Sequence, residues 1–186
     1  VARASTVDGM TTALIVIDVQ QGFYDPAQPP RNNPDFEANL TTLLDAWAGP
    51  IVLVRHDSAK PESPLRPGQP GNDFLPVLDG VRSELMFTKQ VNSAFHGSVD
   101  LHRWLRERGI HDLVLAGIQT NWCVETTARV GGNLGYDVTV AIDATFTFDA
   151  QGPDGETLTA DQLAAATAVN LHAGGFARIA RTKELV

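Results

Sequence analysis

Three residues of this chain belong to the types that make and use a nucleophile, and each stands at the end of an apolar run. Asp18 ends ALIVID, Lys89 follows LMFT, and Cys123, the only cysteine among 186 residues, follows the run Leu113 to Ala116 and the loop Gly117 to Trp122. A thiol in the first turn of a helix feels the positive end of the helix dipole and shifts toward thiolate, the form that attacks carbonyl carbon. A carboxylate shielded from water beside it rises in pKa toward the range where it takes the thiol proton. An ammonium between the two would hold the carboxylate in place and lower the thiol pKa. Each residue also has an ordinary reading. Free cysteine is a common apolar filler, an aspartate after a strand caps the next turn, and lysine snorkels to the surface.

The elements that would bring these residues together follow from the hydrophobic pattern. Six short runs read as strands: Ala13 to Asp18, Ile51 to Arg55, Leu85 to Thr88, Leu113 to Gly117, Val138 to Ile142 and Ala177 to Ala180. They are apolar throughout rather than alternating, which suits strands covered on both faces. Between them, Asp35 to Ala48, Val99 to Arg108, Cys123 to Leu134 and Thr159 to Ala173 carry helical spacing, each closed by glycine. Strands alternating with helices predict βαβ units, a parallel sheet and a three-layer α/β/α sandwich. Ligands of such sheets bind beyond the carboxyl ends of the strands. The polar residues at those ends are Asp18, Arg55-His56-Asp57, Lys89, the Cys123 loop and Asp143, so an acid, a lysine and a thiol would share one edge.

The rest of the chain narrows the function classes. A net charge of −8 and a pI near 4.9 disfavour nucleic acid and anionic membranes as partners. One cysteine excludes an intrachain disulfide framework and a cysteine-rich zinc site, and makes a reducing, cytoplasmic setting the expectation. No run approaches eighteen apolar residues, and VARASTVDGM lacks the apolar core of a signal peptide. Residues 1–12 read as an N-terminal tail and 13–186 as a single domain. Two long loops, His56 to Gly80 with five prolines and Phe146 to Leu158 with GPDG, are of a length that is often functional.

Backbone N–H groups of Gly117 to Trp122 would converge ahead of the helix as an oxyanion hole, with Gln119 and Cys123 as the donors. Gly131 to Gly135 resembles a phosphate loop but lies at the wrong end of its helix. Phe23, Tyr24, Phe95, Trp122 and Phe146 adjoin these motifs and are candidates for an aromatic pocket wall. Of the histidines, His102 and His111 read as solvated, while His56 and His96 are candidates for lining the pocket.

The chain resembles the isochorismatase-like cysteine hydrolases. The matching segments are ALIVIDVQQGF, LVRHDS, SPLRPGQPGNDF, FTKQVNSAF, LVLAGIQTNWCVETTARVGGNLGYDVTVAIDATFTFD and GPDG, in order from Ala13 to Gly155. The resemblance implies a six-stranded parallel sheet, an Asp18–Lys89–Cys123 triad, a cis peptide at Ile118-Gln119, and a homo-oligomer acting on a small-molecule substrate. Members that keep the cysteine cleave C–N bonds through a thioester, which implies an amidase. Relatives that cleave the vinyl ether of isochorismate do not need the thiol, and form the first alternative. A second is a non-catalytic receiver-like module, which also joins a strand-end Asp to a strand-end Lys. Nicotinamidases of the family hold a divalent ion through an Asp and two His after the second strand. Here that stretch offers His56 and Asp57 with no later histidine before His96, so no metal and no other cofactor is expected. The pattern after the second strand is similar to bacterial members of the streptothricin hydrolase type.

Overall fold

The strand runs are apolar because both faces of the sheet are covered. A computed structural model describes residues 12–186. In chain order the strands are β1 (Thr12–Ile17), β2 (Ile51–His56), β3 (Leu85–Lys89), β4 (Asp112–Ile118), β5 (Asp137–Phe146), β6 (Ala150–Gln151), β7 (Thr157–Leu158) and β8 (Arg178–Ala180). The helices are α1 (Phe36–Ala46), α2 (Leu101–Arg106), α3 (Glu125–Asn133) and α4 (Ala160–Ala173). Six strands form one parallel sheet in the order β3-β2-β1-β4-β5-β8, and β6 and β7 pair as a small hairpin.

Alternate residues of β1 feed two cores. Ala13, Ile15 and Ile17 pack with Leu101 and Leu105 of α2, Ala128 of α3 and Leu171 of α4. Leu14 and Val16 pack on the other face with Phe36, Leu40 and Leu43 of α1 and with Leu75 and Leu78 of the proline-rich loop. That loop thus replaces a helix as part of one outer layer, fixed by short 3-10 turns at Pro70–Asn72 and Pro76–Leu78. Helix α4 starts on a capping box, Thr159 accepting from the Gln162 N–H while the Gln162 side chain accepts from Thr159.

This strand order is the doubly wound 3-2-1-4-5-6 arrangement, in which the connections reverse direction between β1 and β4 and leave a crevice there. It differs from the 2-1-3-4-5 order of receivers. Asp18 and Cys123 flank that reversal.

Several sequence expectations are corrected. β5 runs past Ile142 to Phe146, because a register shift against β4 between Leu115 and Gly117 absorbs the extra residues before pairing resumes at Gly117 with Thr145. Asp143 therefore lies inside a strand, where its carboxylate accepts from the Thr182 N–H at 2.8 Å and the Thr182 hydroxyl at 2.9 Å. Part of the loop expected from Phe146 to Leu158 is the β6–β7 hairpin. Thr12, assigned to the tail, opens β1, and the rest of the tail lies outside the described residues. Among the described residues no helix is long and apolar enough to cross a membrane.

Candidate active site

Each candidate side chain is aimed by the local backbone. Asp18, the first residue beyond β1, has φ 53°, a left-handed conformation that few residues other than glycine adopt and that Asp tolerates better than most. Its N–H donates to the Val54 carbonyl at 2.8 Å, and its side chain is fully buried. β4 passes very close to β1 at this point. A Cβ on Gly117 would lie 2.0 Å from the Ile17 carbonyl oxygen, and Gly117 has φ 123°, so only glycine fits. The Ile118–Gln119 peptide that follows is cis.

The Gln119 carbonyl then accepts from both the Trp122 N–H at 3.1 Å and the Val124 N–H at 3.2 Å. The second bond spans five residues, so Thr120–Val124 winds as a π turn and α3 begins only at Glu125. The expectation that Cys123 opens an α-helix is corrected accordingly. The thiol sits in the wide turn ahead of the helix, almost wholly buried.

Lys89 ends the edge strand β3 and reaches across β2. Its Nζ lies 2.6 Å from Asp18 Oδ2, 3.2 Å from His56 Nδ1 and 3.4 Å from Cys123 Sγ, and the residue is 2% exposed. It is not a snorkelling lysine. The other carboxylate oxygen, Asp18 Oδ1, is buried with no hydrogen-bond partner among the described residues.

Burial dominates the electrostatics. It raises Asp18 to about 6, against the charge and hydrogen bond of Lys89, which pull it down. Burial, and next the Asp18 charge, push the Cys123 thiol up to about 12, with Lys89 opposing. The expected lowering of the thiol is therefore corrected for the resting site, because a buried thiol beside a carboxylate resists ionisation. The two values belong to one coupled pair. Passing the thiol proton to Asp18 removes the negative charge that holds the thiol up and leaves the new thiolate facing the Lys89 ammonium.

Oxygen of Asp18, nitrogen of His56 and sulfur of Cys123 lie within 4.8 Å of one another, a spacing a metal ion would accept. The Lys89 ammonium, however, already contacts all three, and a divalent ion among them would meet a fixed positive charge at close range. Asp57, the acid that follows β2, is held by Arg55 Nε at 3.0 Å and by Asn72 Nδ2 at 3.0 Å. These residues do not fit a divalent ion.

The fold agrees with the comparisons. Residues 12–171 match the isochorismatase domain. The chain belongs to the isochorismatase family. Its relatives include the Bacillus subtilis isochorismatase family protein YrdC, 33% identical over 94% of both chains, and nicotinamidase 3 of Arabidopsis thaliana, 31% identical over 89% of this chain and 82% of that one. Streptothricin hydrolase of Streptomyces noursei is 30% identical over 74% of this chain and 50% of its own length. Among solved structures, an isochorismatase-family protein of Chromobacterium violaceum superposes with a TM-score of 0.88 at 39% identity, covering 95% of this chain and 92% of that one.

Around Asp18, Lys89 and Cys123 of this isochorismatase-family chain, the aromatic candidates separate. Phe146 is sealed in the core, edge-on to Phe36 and Phe148, and Phe23 packs against Phe148. Phe95 packs against the core and stacks on Tyr136 at 5.7 Å. Tyr24 is half-exposed but tied to Glu37 and Arg31, and Trp122, next to the thiol, is 53% exposed. Tyr24 and Trp122 are thus the two with most surface to offer a ligand. His96 and His111 face solvent, whereas His102 is not simply solvated, its Nδ1 lying 2.9 Å from the Tyr136 hydroxyl.

Sequence reasoning missed two buried amides. Gln20 clamps the His56 main chain, its Oε1 accepting from the His56 N–H at 2.8 Å and its Nε2 donating to the His56 carbonyl at 3.0 Å. Asn72 donates to the same carbonyl at 3.0 Å and to the Leu65 carbonyl at 2.8 Å. Both lie inside segments that carry the family resemblance, ALIVIDVQQGF and SPLRPGQPGNDF, but neither stands at a strand end, where the chemistry is expected.

Proposed function

We propose that the protein hydrolyses a C–N bond of a small amide, carbamoyl compound or lactam through a thioester on Cys123. The observation that carries this reading is the buried, unpartnered Oδ1 of Asp18 beside the single thiol, with Lys89 touching both groups. Asp18 accepts the thiol proton as Cys123 Sγ bonds to the carbonyl carbon. The oxyanion is received by the Gln119 and Cys123 N–H groups at the turn. Collapse breaks the C–N bond, and Asp18 returns its proton to the leaving nitrogen. Water then gives its proton to Asp18 and its oxygen to the acyl carbon, and the thiolate leaves and is reprotonated. Lys89 balances whichever of the two groups is negative at each stage. Named relatives that are amidases or hydrolases, nicotinamidase 3 and streptothricin hydrolase, support the bond class.

The test is a panel of primary amides, carbamoyl compounds and lactams assayed for ammonia or amine release, with intact-mass detection of the acyl-enzyme. Release with an adduct on Cys123 is the expected result. Cleavage of isochorismate alone, with no adduct, would refute it.

A further inference from the structure

The carboxyl ends of four neighbouring strands, in the sheet order β3, β2, β1 and β4, and the turns just beyond them bring one polar side chain each into the same crevice: Lys89, His56, Asp18 and Cys123. The proposed reaction uses three of them. The fourth, His56, stands in the sheet between the lysine and the aspartate, and its register partner on β3 is Lys89 itself.

An ammonium group carries three N–H donors and no acceptor. The Lys89 Nζ has three acceptors within reach, Asp18 Oδ2 at 2.6 Å, His56 Nδ1 at 3.2 Å and Cys123 Sγ at 3.4 Å. With two acceptors the head of the side chain could pivot about the line joining them. A third fixes it. From this geometry we infer that His56 is a positioning residue, which accepts a hydrogen bond from Lys89 through Nδ1 and so holds another ammonium N–H on the sulfur of Cys123. The inference rests on the thiol-nucleophile reading above.

Two further observations support it. Since an ammonium cannot accept, the bond requires a lone pair on Nδ1 and the ring proton on Nε2. Burial, and then the charge of Lys89, hold the imidazole down to about 4 against the opposite pull of Asp57, so that lone pair is present at neutral pH. The His56 main chain is pinned at both its N–H and its carbonyl by the buried Gln20 and at its carbonyl by Asn72. The charged groups around the ring are Lys89, Asp18, whose Oδ2 is 4.0 Å from Nδ1, and Asp57, which is itself bonded to Arg55 and Asn72.

Because Cys123 is the only thiol, its alkylation by iodoacetamide reads the site without a known substrate. His56→Leu keeps volume and removes the acceptor, whereas His56→Asn loses volume and keeps a side-chain oxygen near the place of Nδ1. His56→Leu should alkylate roughly tenfold more slowly than the native protein at pH 8, and His56→Asn should come within roughly threefold of it. Packing would give the reverse order, so a His56→Leu rate equal to or above that of His56→Asn overturns the inference. Should His56→Leu fail to fold, His56→Met, which also keeps volume and lacks the nitrogen acceptor, takes its place in the same comparison. The nucleophile reading is checked separately. If alkylation of the native protein is unaffected by Asp18→Asn, that reading fails, while a native rate that depends on Asp18 but not on His56 sinks the positioning role alone.

Discussion

Replacing Lys89 by methionine keeps the length of a fully buried side chain and removes its charge, leaving Asp18 in an apolar site without its ion pair. In the native site Asp18 titrates at about 6, burial raising it and Lys89 holding it down. A cation in contact lowers a carboxyl by ~1–3 pH units, so its loss moves the Asp18 midpoint to roughly 7–9. At pH 7 about nine-tenths of the native carboxylates are ionised, and with a midpoint near 8 only about one-tenth would be. That alone is a roughly tenfold loss of active base, and it should be recovered by raising the pH. Loss of the charged hydrogen bond to the forming thiolate adds ~1.5–3 kcal/mol, or roughly 10- to 150-fold, which pH does not restore. The assay is the pH dependence of Cys123 alkylation, and of turnover once a substrate is known. Stability should shift with the same sign. Asp18 has a folded pKa above its unfolded one, so its favourable contribution is complete below about 4 and lost as pH rises through the folded value. The variant should therefore lose more melting temperature at pH 9 than at pH 5. An acid limb that stays near 6, or moves down, would show that Lys89 does not act on Asp18 as described.

Cys123→Ser should lower amide turnover by roughly 10³-fold or more while leaving the melting temperature nearly unchanged, and activity close to native would return the chain to the vinyl-ether chemistry. Gly117→Ala places a methyl 2.0 Å from a backbone oxygen in a left-handed conformation and should cost roughly 2–6 kcal/mol by denaturant titration. Gly68→Ala, with a φ of 83° but nothing within 4 Å, serves as the control for strain alone, at ~1–2 kcal/mol. Turnover should survive EDTA, and elemental analysis should find well under one equivalent of zinc, iron or manganese; stoichiometric metal with chelator-sensitive activity would contradict the argument from the Lys89 ammonium.

Much of the fold was written in local pattern. The six apolar runs and the glycine stops depend on neighbours within a few residues, and a parallel sheet follows from alternating strands and helices by connection length and handedness. Asp18, Lys89 and Cys123 were legible for the same reason: each ends or follows a run whose type was clear, and strand ends of one parallel sheet must face the same way. What escaped was either a pairing between distant segments or a local turn that no residue type marks. The continuation of β5 to Phe146 arises from a register shift against β4, and the π turn before α3 from one carbonyl, that of Gln119, taking two donors.

By itself the sequence determined the layers, the edge of the sheet where the polar strand ends gather and the three residue types proposed for the chemistry, because each is set by side-chain period and position along one segment. Only the tertiary structure decided the order of the strands. That order places His56 between Lys89 and Asp18, gives the ammonium three acceptors and puts a cation where a metal would otherwise sit. It also decided the charge balance of the site. Helix position suggested a lowered thiol, but burial beside a carboxylate raises both groups, and the cost of moving a charge out of water exceeds what one helix end supplies.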